Sequence, residues 1–116
     1  MVEKRKFIRL KIQLKVIYKV IKKHKRQKTH SSVIYDISGG GFKIKAKEHL
    51  RMGDLLDAEI EIPHLAEPVH AVAEVVWFTS GSNPAAEGHD AGLRFRDIDP
   101  RDLHRVLEYV HSIAIG

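Results

Sequence analysis

Leu10-Lys11-Ile12-Gln13-Leu14-Lys15-Val16-Ile17-Tyr18-Lys19-Val20 is the stretch on which the fold turns. Leu10, Ile12, Leu14, Val16, Tyr18 and Val20 share one side, and Lys11, Gln13, Lys15 and Lys19 the other, the period-two signature of a strand with one buried face. Downstream, Lys22 to Lys28 offers no apolar anchor and reads as a charged hairpin loop leading to a second strand at about His30 to Ile37. Gly39-Gly40-Gly41 breaks the chain, and Phe42-Lys43-Ile44-Lys45 resumes the alternation. Arg51-Met52-Gly53-Asp54 reads as a turn before Leu56, Ala58, Ile60 and Ile62, which alternate with Asp57, Glu59 and Glu61 until Pro63 stops the strand. A fifth strand is expected from about Val69 to Phe78, apolar on both faces near Val75-Val76-Trp77-Phe78. Thr79 to Asp90 reads as a loop, and a short sixth strand, Gly92 to Arg96, points Leu93 and Phe95 inward.

The period then changes. Asp99 suits a helix N-cap, Pro100 the first helical position, and Leu103, Val106, Leu107 and Val110 recur at the spacing of an amphipathic helix. Six strands with no helix between them argue against a parallel sheet and for an antiparallel barrel or sandwich, with the closing helix over an open end or a face.

With 116 residues the chain has room for one core, and 43% hydrophobic with 30% charged residues is a globular composition. The absence of cysteine removes disulfides, thiolate metal sites and a cysteine nucleophile, and fits a cytoplasmic protein. No apolar run approaches the roughly 18 residues of a membrane span, and the start Met1-Val2-Glu3-Lys4-Arg5-Lys6 carries charge where a signal peptide is apolar. The net charge of +5 is unevenly spread: residues 1–51 hold 16 of the 20 Lys and Arg against 3 of the 15 Asp and Glu, and residues 52–116 hold 4 against 12. That asymmetry points to an anionic partner, whether nucleic acid, a nucleotide or an acidic membrane surface, unless the basic strand face is simply solvated.

Two constellations carry possible chemistry. Arg5 and Arg9 stand four residues apart before the first strand; in extended chain they are separated by ~13 Å and return to the same side, so both guanidiniums can address one ligand. A guanidinium fork matches phosphate oxygens and the O6/N7 edge of guanine. In Asp36-Ile37-Ser38-Gly39-Gly40-Gly41, Asp36 and Ser38 share strand parity while Ile37 turns to the core, placing a carboxylate and a hydroxyl side by side on an exposed surface. The glycines let backbone N–H groups approach a phosphate, although such a hexapeptide can equally be an Asx or Ser turn closing a hairpin.

An Arg-x-x-x-Arg arm before strand one and an Asp-x-Ser-x-x-Gly at the end of strand two together resemble the PilZ domain family, bacterial receptors for cyclic di-GMP. The likeness extends through Gly41-Phe42-Lys43-Ile44, Gly53-Asp54, Val75-Val76-Trp77, Gly92-Leu93-Arg94-Phe95 and the terminal helix, covering Lys4 to Ile113. The resemblance implies a six-stranded antiparallel barrel with a C-terminal helix, residues 10–116, preceded by a flexible arginine arm, residues 1–9. It implies that Arg5 and Arg9 take phosphate and the guanine Hoogsteen edge, that Asp36 and Ser38 hold guanine or its backbone, and that Gly41 keeps the turn open. Lys4, Gly39, Gly40, Trp77 and Arg94 are secondary candidates. Ile8 stands where the family often has proline, and Lys4 where the residue type bears on how many ligand molecules bind.

The reading is therefore a non-catalytic cytoplasmic receptor that binds cyclic di-GMP, needs no cofactor and relays the signal to an effector protein. The alternatives are a small basic barrel that binds single-stranded nucleic acid, which would interleave exposed aromatics with its lysines, and an adaptor of the same fold that no longer binds nucleotide. Trp77 reads as core in its apolar run, with stacking on guanine as the alternative. His104, Glu108 and His111 share a helix flank, but no further ligands assemble a metal site from them. No nucleophile elbow, Walker loop or dinucleotide fingerprint is present, and no enzyme is expected. Lys4, Arg5, Lys6 and Arg9 crowd the arm with like charge, so residues 1–9 are expected to become ordered only when a doubly negative ligand binds.

Overall fold

The computed structural model describes residues 10–22, 28–79 and 89–115. Its strands are β1 (Leu14–Val20), β2 (His30–Ser38), β3 (Gly41–Ala46), β4 (Leu55–Ile60), β5 (Val69–Thr79) and β6 (His89–Ile98), followed by helix α1 (Pro100–Ile115). Every pairing is antiparallel, and the order β1-β2-β3-β6-β5-β4 closes on itself as a barrel. Among the described residues, closure leaves no open sheet edge.

Alternation sets the inside and outside. Leu14, Val16 and Tyr18 of β1 are buried while Lys15 and Lys19 are exposed, and Leu56, Ala58 and Ile60 of β4 fill the same core from across the β1–β4 seam. The strand expected from Leu10 is interrupted. Leu10 pairs with Ile37 and Leu14 with Ile34, so four residue steps of one chain oppose three of the other and the ladder breaks between them. Strand β6 is longer than its composition suggests. His89 and Asp90, expected in a loop, pair with Ala46 and Lys45 on one side, and Asp90 also pairs with Thr79 on the other; neighbours on both flanks override turn-like residues. Thr79 itself belongs to β5, and residues 80–88 of that expected loop lie outside the described residues.

The two ends of the barrel are closed differently. Helix α1 touches β5 and β2, which are not neighbours in the barrel, so it lies across one open end with Val106 and Val110 buried. Its start follows the expected chemistry: Asp99 Oδ1 accepts from Arg101 N at 2.8 Å and Asp99 O from Leu103 N at 2.9 Å. The connection from β3 to β4 must cross between strands that are not adjacent, and Leu50 in its middle is buried at 1% exposure. The turn that ends it places Gly53 at φ 92°, a left-handed conformation that favours glycine, and Gly53 N donates to Val75 O at 2.8 Å. Among the described residues, no helix is long and apolar enough to cross a membrane.

Candidate ligand face

The outer surface of β2, β3, β6 and β5 carries the candidate residues in two cross-strand rows. Asp36 pairs with Lys43, Lys43 with Gly92, and Gly92 with Trp77; beside this row, Ser38 pairs with Gly41, Gly41 with Arg94, and Arg94 with Glu74. Two irregularities set these side chains on the same face. In β2 the register shifts between Ile34 and Asp36, and in β5 between Val75 and Trp77. An extra residue reverses the parity of everything after it. Val75 is a core residue, and beyond the shift Phe78 packs against the core while Trp77 turns outward.

Trp77 is thus a correction to the reading as core. It lies half-buried on the outer wall over Gly92, where an added Cβ would stand 2.1 Å from the indole Nε1. Glycine at 92 makes the shallow seat that the indole occupies. Lys43 Nζ lies 5.9 Å from the indole centroid, within cation–π range, and 3.5 Å from Asp36 Oδ2. One row downstream, Lys45 Nζ lies 5.4 Å from the Tyr35 ring and 2.5 Å from Asp90 Oδ1. Burial, with Asp90 and then Asp36 close by, raises the Tyr35 hydroxyl from its ordinary value to about 12.

Asp36 also departs from expectation. Instead of an exposed carboxylate it is a buried one, with 9% of its side chain accessible, because Lys43 stands across from it and the chain at Leu10 runs alongside β2. Ile37, as expected, is in the core. Ser38 Oγ accepts from Gly40 N at 3.2 Å, so the hydroxyl closes the hairpin turn while remaining half-exposed.

The need for glycine at 41 differs from the one anticipated. A Cβ there would lie 2.0 Å from Leu93 O and 3.0 Å from Arg94 Cα, so Gly41 permits the close approach of β3 to β6. Arg94 is exposed and shares Glu74 with Arg96, the two guanidiniums lying 3.3 and 2.7 Å from Glu74 Oε1. Gly39 and Gly40 form the two-residue turn between Ser38 and Gly41, and Gly40 O accepts from Phe95 N at 3.0 Å.

Lys4, Arg5 and Arg9, and the expected mobile arm of residues 1–9, lie outside the described residues. The described chain begins at Leu10, which is held to Ile37 by two backbone hydrogen bonds of 2.8 and 3.0 Å. Ile37 is the residue between Asp36 and Ser38. The chain therefore enters the barrel beside the acidic and hydroxyl groups of the candidate face, one residue after Arg9 in the sequence.

The sequence reading missed Lys43 and Tyr35 as members of this face. Lys43 was legible as an outward residue of β3 by parity, but its partnership with Asp36 and Trp77 depends on the two register shifts. His104 and Glu108 of the helix flank make an exposed 2.9 Å contact, and no metal-sized cluster of three or more His, Asp or Glu forms among the described residues.

Comparison with solved structures gives the same barrel. The Bacillus subtilis inhibitor of motility superposes with a TM-score of 0.78 at 19% identity, over 98% of this chain and 53% of that one. The domain of Escherichia coli YcgR solved with cyclic di-GMP gives 0.71 at 17% identity, over 97% and 93%. The Klebsiella pneumoniae MrkH complex with cyclic di-GMP gives 0.75 at 16%, over 99% and 54%. The chain thus spans about half the length of the Bacillus and Klebsiella proteins. No curated protein matches the sequence. The family model described as PilZ domain matches residues 3–112, nearly the entire chain and both arginines of the arm, and the chain belongs to the PilZ domain family.

Proposed function

We propose that this chain is a non-catalytic receptor for cyclic di-GMP that works in the bacterial cytoplasm and passes the binding event to a protein partner. The observation that carries the reading is the outer-face row Asp36–Lys43–Gly92–Trp77, at whose edge the Leu10–Ile37 bridge joins the chain one residue after Arg9. In this account Arg5 and Arg9 take the phosphates and the Hoogsteen edge of guanine, Asp36 accepts from the guanine N1–H and amino group, and Ser38 and the Gly39–Gly41 turn contact the ligand backbone. Trp77 offers an aromatic plane and Arg94 a peripheral cation. The family model and the two relatives solved with cyclic di-GMP support the same ligand.

A general single-strand binder needs a track of aromatics spaced along a basic groove. Here the basic column Lys15 and Lys19 of β1 alternates with buried Val16 and Tyr18, and the two described lysine–aromatic pairs join Lys43 and Lys45 of β3 to single rings on different strands, Trp77 of β5 and Tyr35 of β2. Calorimetric titration tests the proposal: cyclic di-GMP is expected to bind at 0.15 M salt in preference to cyclic di-AMP. Arg9→Ala is expected to weaken it by about tenfold or more, the loss of one or more charge-assisted hydrogen bonds. Equal affinity for the two dinucleotides would remove Asp36 and the arginines from guanine recognition, and binding untouched by Arg9→Ala would overturn the assignment.

A further inference from the structure

Asp36 is a carboxylate in an awkward place. It is nearly buried, and in the proposed function it must accept hydrogen bonds from guanine beside a doubly negative ligand that it repels. Among the described residues, Lys43 is the single cation within ion-pair range of it, at 3.5 Å. That distance is longer than a tight charge-assisted hydrogen bond of about 2.7–2.9 Å, so the ammonium compensates the charge while leaving carboxylate lone pairs open to another donor. The same ammonium lies 5.9 Å from the Trp77 centroid. Its reach is fixed by backbone pairing: Asp36 and Trp77 are the ends of one cross-strand row, Lys43 is inside it, and Gly92 beside it has no side chain to separate ammonium from indole.

Resting on the cyclic di-GMP reading, we propose that Lys43 is a positioning residue of the ligand face, whose ammonium neutralises and orients the Asp36 carboxylate and fixes the Trp77 indole, so that the guanine-reading acid and the aromatic plane are held in one arrangement. Lys43 then acts through Asp36 rather than by its own contact with phosphate. It makes the carboxylate tolerable next to an anionic ligand, and it couples two side chains that the barrel places on different strands. A merely attractive surface cation would act through overall charge, and any lysine of the barrel would serve as well.

The test compares Lys43→Met with Lys15→Met, which removes the same charge from the exposed outer side of β1, outside ion-pair range of Asp36. Both are titrated with cyclic di-GMP at 0.15 M salt, where charges beyond about 8 Å are largely screened. Lys43→Met is expected to weaken binding about tenfold, the scale of one charged hydrogen-bonding partner, and Lys15→Met less than about twofold. Lys43→Arg, which restores the cation, is expected to recover most of the loss. In an Asp36→Asn background Lys43→Met is expected to add little, since a residue acting through the carboxylate has nothing left to act on. Trp77, the one tryptophan, reports independently: its emission in the ligand-free protein is expected to shift in Lys43→Met and return in Lys43→Arg.

Additive losses in the Asp36→Asn background would show that Lys43 acts directly on the ligand and would overturn the positioning role. Equal losses in the Lys15 and Lys43 variants would reduce the effect to net charge, with the same consequence. Wild-type binding that is sensitive to Arg9→Ala but indifferent to Lys43→Met would overturn this inference alone. A wild-type protein that does not bind cyclic di-GMP would overturn the functional reading and this inference with it.

Discussion

At the residue scale, Gly41 and Tyr35 give the sharpest consequences. Both arms of the family pattern can be read as ligand chemistry, yet Gly41 is also demanded by the barrel, because a Cβ there would meet Leu93 O at 2.0 Å. The obstacle is backbone, which cannot swing aside as a side chain can. Gly41→Ala is therefore expected to destabilise the fold by about 1–3 kcal/mol, the scale of overpacking, measurable by urea denaturation before any ligand is added. Tyr35 has its hydroxyl raised to about 12, first by burial and then by Asp90. The protonated form is thereby favoured in the folded state over the unfolded one, whose tyrosines ionise near 10. Its contribution to stability is complete below pH 10 and lost progressively as pH rises from 10 through about 12. Denaturation midpoints measured across that window are expected to fall with pH, and Tyr35→Phe to flatten the fall. An equal slope in the variant would assign the alkaline loss to other groups.

At the element scale, the β3–β4 connection shows how a barrel end is held by polar contacts. Glu48 Oε1 accepts from the buried Tyr18 hydroxyl of β1, and Glu48 Oε2 lies 3.1 Å from His30 Nδ1 at the start of β2. The Tyr18 and His30 rings stack at 5.4 Å, so the crossing connection is tied to the β1–β2 wall beside its origin on β3. Burial, reinforced by Glu48, pushes the Tyr18 hydroxyl well above its ordinary value. Glu48→Ala leaves that hydroxyl buried without its acceptor and is expected to cost about 1–3 kcal/mol in thermal or chemical unfolding, with Tyr18→Phe relieving part of the loss in the double variant. Existence and order of the six strands were legible in the alternation from Leu10 to Val20 and its successors, because one face of each strand is buried and parity is a local property. The shifts at Ile34/Asp36 and Val75/Trp77 were not. They arise in the pairings with β3 and β6, which the parity of a single strand does not record, and they decide that Trp77 turns outward and that Asp36 meets Lys43.

At the scale of the molecule, the closed order β1-β2-β3-β6-β5-β4 separates two outer walls. The β2, β3, β6 and β5 wall carries Asp36, Ser38, Lys43 and Trp77, while the β1–β4 wall sets Lys15 and Lys19 of β1 beside Asp57 and Glu59 of β4. The sequence-level charge asymmetry is thus partly neutralised across the β1–β4 seam. Composition pointed to an anionic partner, and only topology distinguishes the wall that could read a guanine. Binding of cyclic di-GMP on that wall, as proposed, is tested most directly by amide chemical-shift mapping during a titration, which reads both the binding and its place. Shifts are predicted at Asp36, at Ser38 to Lys43, at Gly92 and at the Trp77 indole Nε1–H, with Asp57 to Ile60 and His70 unmoved. An unchanged spectrum, or shifts confined to the β1–β4 wall, would contradict it.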